Sequence, residues 1–179
     1  IEPNTFFAKY PPVVPPDDDA YAMLDRITEL TGQVGLQRYE ISAYARAGHE
    51  CVHNTNYWEF GDYLGIGAGA HSKISFAHRV VRQARLREPR LYMDHALAGN
   101  ALAGNALALD DDVRRADLPF EYMLNALRLR RGFALQDFTE RTGLPVTVLA
   151  KALDEAERKG LIVRDMARVQ PTERGFDFL

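Results

Sequence analysis

The chain has little of what several kinds of site require. Its 179 residues contain a single cysteine and a single tryptophan, and the formal net charge is only −3. One cysteine excludes an internal disulfide framework, an iron–sulfur cluster and a cysteine-rich zinc site built from this chain alone. The small net charge gives no overall attraction to nucleic acid or to an anionic membrane. No apolar run reaches the roughly 18 residues of a membrane helix and no signal-peptide pattern is present, so we expect a cytoplasmic location.

What is present is an ordinary globular composition, with 46% hydrophobic and 26% charged residues. Apolar residues at three- and four-residue steps predict a helix over about 20–34, with Asp17 to Asp19 at its positively polarised start. Gly35 is expected as its left-handed cap, and a short strand pattern follows over 36–41. Strand, loop, helix and strand are typical of an α/β unit. The apolar stripe of the helix consists of Met23, Leu24, Ile27, Leu30 and Val34.

Residues 49–74, HECVHNTNYWEFGDYLGIGAGAHSKI, hold three histidines, the cysteine, the tryptophan and four glycines. The spacing of the histidines and the cysteine supports no metal cluster. Residues 43–58 show no clear period, which predicts a long ordered loop. Tyr63 to Ile66 then predict a final strand, among glycines that suit a close approach of the backbone to another group.

Residues 76–116 are read as a connector. Its first part is basic and is interpreted either as a solvated surface or as a clamp for carboxylates or phosphates. The five-residue unit ALAGN occurs twice in this region, and we interpret it as a local duplication without a function of its own. The arginines of the basic part are Arg79, Arg82, Arg85, Arg87 and Arg90.

Residues 117–179 predict three helices and a β-hairpin, which is a winged-helix pattern. DNA binding through the third helix is not favoured, because residues 120–179 carry ten Lys/Arg against nine Asp/Glu, a net charge of +1. A DNA-binding surface normally shows a basic face. A winged helix also serves as a lid or as a docking module.

Two motifs resemble one known family. HNTNYW and FGDYLGIGAGAHS resemble the proteins related to oxygen-independent coproporphyrinogen III oxidase, and within them the HemW-like haem-chaperone branch. The segments IEPNT, PPVVPPDDDA, YEISAYARAGHE, LPFEYMLNALRL and FTERTGLPV follow in the order of that family, so the resemblance covers nearly the whole chain.

The resemblance implies a radical S-adenosylmethionine protein, with an α/β barrel and a CxxxCxxC loop that binds a [4Fe–4S] cluster. This chain lacks that cysteine triplet and starts at Ile1 without a methionine. We therefore expect the cluster loop and most of the S-adenosylmethionine site to lie upstream. The implied fold is α/β: residues 1–75 end the barrel, 76–116 connect, and 117–179 form a mostly helical winged-helix-like domain.

The resemblance associates HNxxYW with haem binding and sets the chain apart from the true oxidases. It carries onto His53, Asn54, Tyr57 and Trp58. His53 is then an axial ligand of the haem iron, Tyr57 and Trp58 form a flat wall for the porphyrin, and Asn54 orients the imidazole. The alternative is a loop histidine that is hydrogen-bonded to the backbone. His49 and Cys51 are weaker candidates for ligands.

Comparison with the oxidases also places the end of GIGAGAHS near S-adenosylmethionine, because ligands gather at the carboxyl ends of parallel barrel strands. The residues concerned are Ile1, Gly67, Gly69, Ala70 and His71. The alternative for all of them is tight packing of a strand.

Three functions follow from these observations. The first is the C-terminal part of a haem-binding chaperone that delivers haem to acceptor proteins. The second is part of an oxygen-independent coproporphyrinogen III oxidase, and the third is a winged-helix module that docks a protein or DNA. This chain alone is not expected to be an enzyme, and nucleic acid is not an expected partner. A homodimer and a peripheral membrane contact stay open.

Overall fold

The computed structural model describes residue 3, residues 5–98 and residues 106–178. The prediction for Ile1 and part of the ALAGN duplication therefore lie outside the described residues. The first elements are two helices and a hairpin: α1 (Phe6–Lys9), α2 (Asp17–Gln33), β1 (Gln37–Glu40) and β2 (Ala43–Ala45). The predicted helix and strand are confirmed, and Gly35 takes the expected left-handed φ of 79° after α2.

The apolar stripe predicted on α2 contributes little to the core. No residue of this helix is buried among the described residues, and Ile27 is 50% exposed. A hydrogen bond of 3.0 Å between the Thr28 and Tyr44 hydroxyls joins the helix to the neighbouring hairpin. The periodicity therefore predicted the helix correctly, but the described chain does not cover its apolar face.

The loop predicted over 43–58 is wrong at both ends, where the strand β2 (Ala43–Ala45) and the helix α3 (Val52–Trp58) form. Backbone N–H groups of Thr55 and Glu59 donate to the carbonyls of Cys51 and Thr55, at 2.9 and 2.8 Å. A helix of seven residues makes only two turns, which is too short for a hydrophobic period to show. Its asparagines and threonine also favour turns over helix interiors, so the sequence pattern conceals it.

The strand predicted at Tyr63–Ile66 is also wrong. Tyr63 forms only an isolated bridge with Lys73, and the strand β3 (His71–Ser75) begins five residues after Ile66. The glycines between them break the extended conformation, since Gly67 and Gly69 have φ of 107° and 72°.

The predicted connector contains regular structure. It includes the strand β4 (Val80–Arg85), the helix α4 (Pro89–Ala98) and the strand β5 (Leu107–Asp112). β4 lies between β3 and β5, and both pairings are antiparallel. Residues 76–116 are therefore joined to the segment before them by a sheet and are not only a solvated link.

The C-terminal region alternates helices with short strands, and three of its strands form a sheet in the order β6–β8–β7. Phe138 and Val169 are fully buried in its core, which also takes in Phe60 and Val80 from the earlier segments. The core thus holds the candidate motif region against the C-terminal region. The elements are α5 (Leu118–Ala126), β6 (Phe133–Ala134), α6 (Leu135–Thr142), a 3₁₀ turn (Val146–Leu149), α7 (Ala150–Arg158), β7 (Ile162–Arg164), β8 (Arg168–Pro171) and α8 (Glu173–Asp177).

None of the helices in the described part of the chain combines the length and the apolar character needed to cross a membrane.

Candidate haem-binding face

The motif HNTNYW lies on α3, and this helix sets the directions of its side chains. His53 and Tyr57 are four residues apart and therefore share one face, with ring centroids 4.7 Å apart and an edge-to-face angle of 82°. Tyr57 also packs on Tyr63, at a centroid distance of 4.3 Å. Three rings thus form one continuous row, with His53 at its exposed end.

The imidazole of His53 is available to a ligand. His53 is exposed, and among the described residues its ring nitrogens have no hydrogen-bond or ion-pair partner. The described contacts therefore do not include the alternative, in which His53 is hydrogen-bonded to the backbone. Nor do they join Asn54 to the imidazole, so the orienting role of Asn54 stays a prediction.

Asn56, at a variable position of the motif, has a clear structural role. Its side-chain amide donates to the carbonyl of Asp62 at 3.0 Å, and its own carbonyl accepts from the N–H of Gly61 at 2.7 Å. A Cβ at Gly61 would lie 2.1 Å from the side-chain oxygen of Asn56, which explains the glycine in FGDY. The hydrogen bonds of Asn56 thus connect the motif to the segment that follows it.

Trp58 does not share the face of Tyr57. Adjacent residues on a helix diverge by about 100°, and the indole accordingly packs toward the C-terminal region. The guanidinium carbon of Arg128 lies 4.3 Å from its ring centroid, and the indole lines a cavity of about 250 Å³ together with Tyr122 and Leu129. The structure therefore does not support a single wall of Tyr57 and Trp58.

The far end of the aromatic row lies beside an ion pair. Arg82 on β4 approaches the hydroxyl of Tyr63 at 3.5 Å and donates from Nε to the carboxylate of Glu121 at 2.9 Å. Burial raises the pKa of the Tyr63 hydroxyl above its ordinary value, despite the opposing charge of Arg82. Tyr63 therefore stays a neutral phenol at physiological pH.

A buried lysine that the sequence reading missed supports this row. Lys73 is 2% exposed, and its Nζ donates to the carbonyl of Phe60 at 2.9 Å, to Asp62 at 3.0 Å and to Ser75 at 3.0 Å. Its backbone N–H and carbonyl pair with Tyr63 at 3.0 and 2.9 Å. Lys73 thus fixes the segment that carries Tyr63. No sequence motif marks it, and burial along β3 does not follow the alternation of a strand, because Ser72 and Lys73 are both buried.

The carboxyl of Asp62 provides a pH-dependent prediction. Burial raises its pKa, but hydrogen bonds from Ser75 and the contact with Lys73 outweigh burial and hold the pKa below the ordinary value of 3.8. This contribution to stability is therefore complete above pH 3.8 and is lost as the pH falls through the lowered pKa. We expect Asp62→Asn to flatten the acid limb of stability in urea titrations below pH 5.

The glycine segment forms a tight turn. The N–H of Gly67 donates to the Tyr92 hydroxyl at 3.2 Å and that of Gly69 to the carbonyl of Leu86 at 2.8 Å, while the carbonyl of Ala70 accepts from Arg85 at 2.8 Å. His71 is exposed at the beginning of β3.

All strand pairs among the described residues are antiparallel. Within these residues, His71 therefore does not lie at the carboxyl end of a parallel strand. The proximity of Gly67, Gly69, Ala70 and His71 to S-adenosylmethionine stays a prediction. No described contact joins His71 to the His53 row. Across residues 5–98 and 106–178, no three His, Cys, Asp or Glu side chains lie in a group that could hold a metal ion.

The fold and the last domain each resemble known proteins. Residues 113–178 match the family described as HemN C-terminal domain. The structure resembles that reported as "Coproporphyrinogen III oxidase (HemN) from Escherichia coli is a Radical SAM enzyme", with a TM-score of 0.61 over 90% of this chain and 39% of that chain. At 17% identity this likeness shows the fold alone. The chain therefore shares a mixed α/β fold with part of a radical SAM enzyme and carries a HemN C-terminal domain.

The particular relatives are haem chaperones. The chain is 41% identical to "Heme chaperone HemW" of Escherichia coli (strain K12) and 39% identical to that of Haemophilus influenzae, over 100% of this chain and 45% of each relative. The Bacillus subtilis protein of the same name is 29% identical over 98% of this chain. The chain is thus homologous to HemW, as the motifs predicted, and it spans about half the length of these curated relatives.

Proposed function

We propose that the chain is the C-terminal part of a haem-binding chaperone and that it contacts haem through the His53–Tyr57–Tyr63 row. The observation that carries this proposal is the exposed imidazole of His53, which has no polar partner among the described residues and stands against the edge of Tyr57. The homology to HemW names haem as the cargo.

The chemistry of the row suits a porphyrin. A neutral imidazole is a good axial ligand for haem iron, and aromatic rings offer apolar contact area to a flat macrocycle. The half-buried rings of Tyr57 and Tyr63 supply such an area beside His53. An exposed ligand also suits a protein that must pass its cargo to an acceptor, since the haem remains accessible from one side.

We assign the [4Fe–4S] cluster and S-adenosylmethionine to other parts of a longer protein. A cluster of this type needs several cysteine ligands, and this chain has one cysteine, which is exposed. The turn of Gly67, Gly69 and Ala70 with His71 remains the candidate for a contact with S-adenosylmethionine, together with Ile1. The backbone groups of this turn already form hydrogen bonds with Tyr92, Leu86 and Arg85, so the turn also has a structural role.

Haemin titration of the full-length protein tests the ligand. We expect His53→Ala to weaken haem binding by about tenfold or more and to shift the Soret band, because the axial ligand is removed. His78→Ala is the matched control, since His78 is also exposed but lies in the turn between β3 and β4. An unchanged Soret spectrum and affinity in His53→Ala would remove His53 as the ligand.

The C-terminal region is proposed to be winged-helix-like, because three helical segments are followed by the β7–β8 hairpin. Its charges support docking of protein over DNA. Arg164 pairs with Asp154 and Glu157, and Lys159 pairs with Glu155, so acids neutralise these cations. Steeply salt-dependent binding in a gel-shift assay would favour the DNA function instead.

The oxidase function is a property that only the full-length protein can have. An anaerobic assay with coproporphyrinogen III tests it, with formation of protoporphyrinogen as the outcome in its favour.

A further inference from the structure

One short segment of the C-terminal region contacts the motif helix and the first hairpin together. We call residues 127–132, between α5 and β6, the α5–β6 segment. The N–H of its Arg130 donates to the carbonyl of Tyr39 at 3.0 Å, and its Leu129 forms a bridge with Glu40. Its Arg131 forms an ion pair with Glu59, directly after α3.

Arg128 of this segment makes the contact with the motif itself. Its guanidinium lies over the indole of Trp58, at 4.3 Å from the ring centroid. The Nε of Arg128 and the Nε1 of Trp58 are both buried without a hydrogen-bond partner among the described residues. The cation–π contact therefore holds the guanidinium in place, and the broad planar group of arginine serves such a contact better than the ammonium of lysine.

The helix that carries the motif depends on such outside contacts. α3 has seven residues, none of them buried, and its N-cap Cys51 makes no side-chain capping hydrogen bond. A helix of this length is not stable by itself in water. At its start the N–H of Cys51 donates to the Tyr39 hydroxyl at 3.3 Å, and at its end Trp58 lies under Arg128.

We propose that Arg128 is a positioning residue of the haem-binding face: by holding the indole of Trp58, it fixes the rotation of α3 and so the direction of His53 and Tyr57. This inference rests on the proposed haem contact of His53. It also gives Trp58 a role in the motif that does not require it to touch the porphyrin. The C-terminal domain then sets the geometry of a ligand that it does not itself supply.

The test uses the full-length protein with Arg128→Gln, Arg128→Lys, Trp58→Phe and the double variant Arg128→Gln/Trp58→Phe. The difference in tryptophan fluorescence between the unsubstituted protein and Trp58→Phe gives the emission of Trp58. We expect Arg128→Gln to shift this emission to longer wavelength, because water reaches the indole. We expect Arg128→Gln to weaken haemin binding by about tenfold and to alter the Soret band, with Arg128→Lys failing to restore either. The double variant should bind no more weakly than Arg128→Gln, because both changes break one contact.

Arg131→Gln is the matched control, because its ion pair with Glu59 joins the same segments but is about half exposed. Melting curves of all variants distinguish a loss of folding stability from a change in the orientation of α3. If His53→Ala weakens haem binding while Arg128→Gln changes neither the affinity nor the Soret band, the positioning role is wrong. If His53→Ala itself has no effect, the proposed haem contact has failed, and the emission of Trp58 still reports whether Arg128 holds the indole.

Discussion

Gly132→Ala is expected to lower the free energy of unfolding by about 4 kcal/mol, because a left-handed residue with a side chain and an overpacked contact each cost about 1–3 kcal/mol. Gly132 has a φ of 61°. A Cβ there would lie 1.9 Å from the backbone carbonyl oxygen of Val169, in the strand β8 that pairs with β6. Since the obstacle is backbone in the middle of a sheet, neither partner can move without loss of pairing.

Gly160→Ala separates the two causes. Gly160 has a nearly identical φ of 69°, but no atom lies within 4 Å of its added Cβ. We expect this variant to lose about 1 kcal/mol, from the left-handed backbone alone. Urea unfolding of both variants gives the comparison. Equal losses at the two positions would contradict the contact of Gly132 with β8 as the main cause.

Lys73→Met is expected to lower the free energy of unfolding by about 2 kcal/mol, because it leaves a buried carbonyl without its hydrogen-bond donor, which costs about 1–3 kcal/mol. Methionine has a similar length, so little packing volume is lost. The substitution removes three hydrogen bonds and the ammonium that lies 4.1 Å from the ring centroid of Phe60. It leaves the Phe60 carbonyl without a donor, while Asp62 is 45% exposed and regains water.

Lys159→Met provides the reference for a surface lysine. Its ion pair with Glu155 is exposed on both sides, at 60% and 49%, and such pairs contribute at most about 1 kcal/mol. Lys73→Met should also disturb Tyr63, whose backbone pairs with that of Lys73, and haemin binding of the variant checks this. A stability loss no greater than that of Lys159→Met would show that the buried ammonium is not important for the fold.

Elements with strong local signals were predictable from the sequence. The acids Asp17 to Asp19 and Gly35 mark the ends of α2. The buried face of α5 depends on contacts with distant parts of the chain. Phe120 is 69% exposed, whereas Tyr122 is 1% exposed, because its ring packs between Phe60 and Phe138 from distant parts of the chain.

The candidate site was predictable in its residues but not in its geometry. The motif identified His53 and Tyr57, yet no local pattern shows that they share a helical face or that Tyr63 extends their row. The side chains of Tyr57 and Trp58 point in different directions because the two residues are adjacent on a helix. The sequence pattern did not reveal this two-turn helix. Lys73 and Arg128 act through contacts with residues far along the chain, and such contacts leave no trace in spacing.

The outer strand of the β3–β4–β5 sheet has a consequence for association between copies. Among the described residues, β5 pairs with β4 on one side only, and its Asp110, Asp111 and Asp112 are exposed. An unpaired strand edge is a template for another strand, and like charges along it oppose such pairing. Two copies that met edge to edge would bring these two acidic runs together, so their like charges oppose growth of the sheet across this edge.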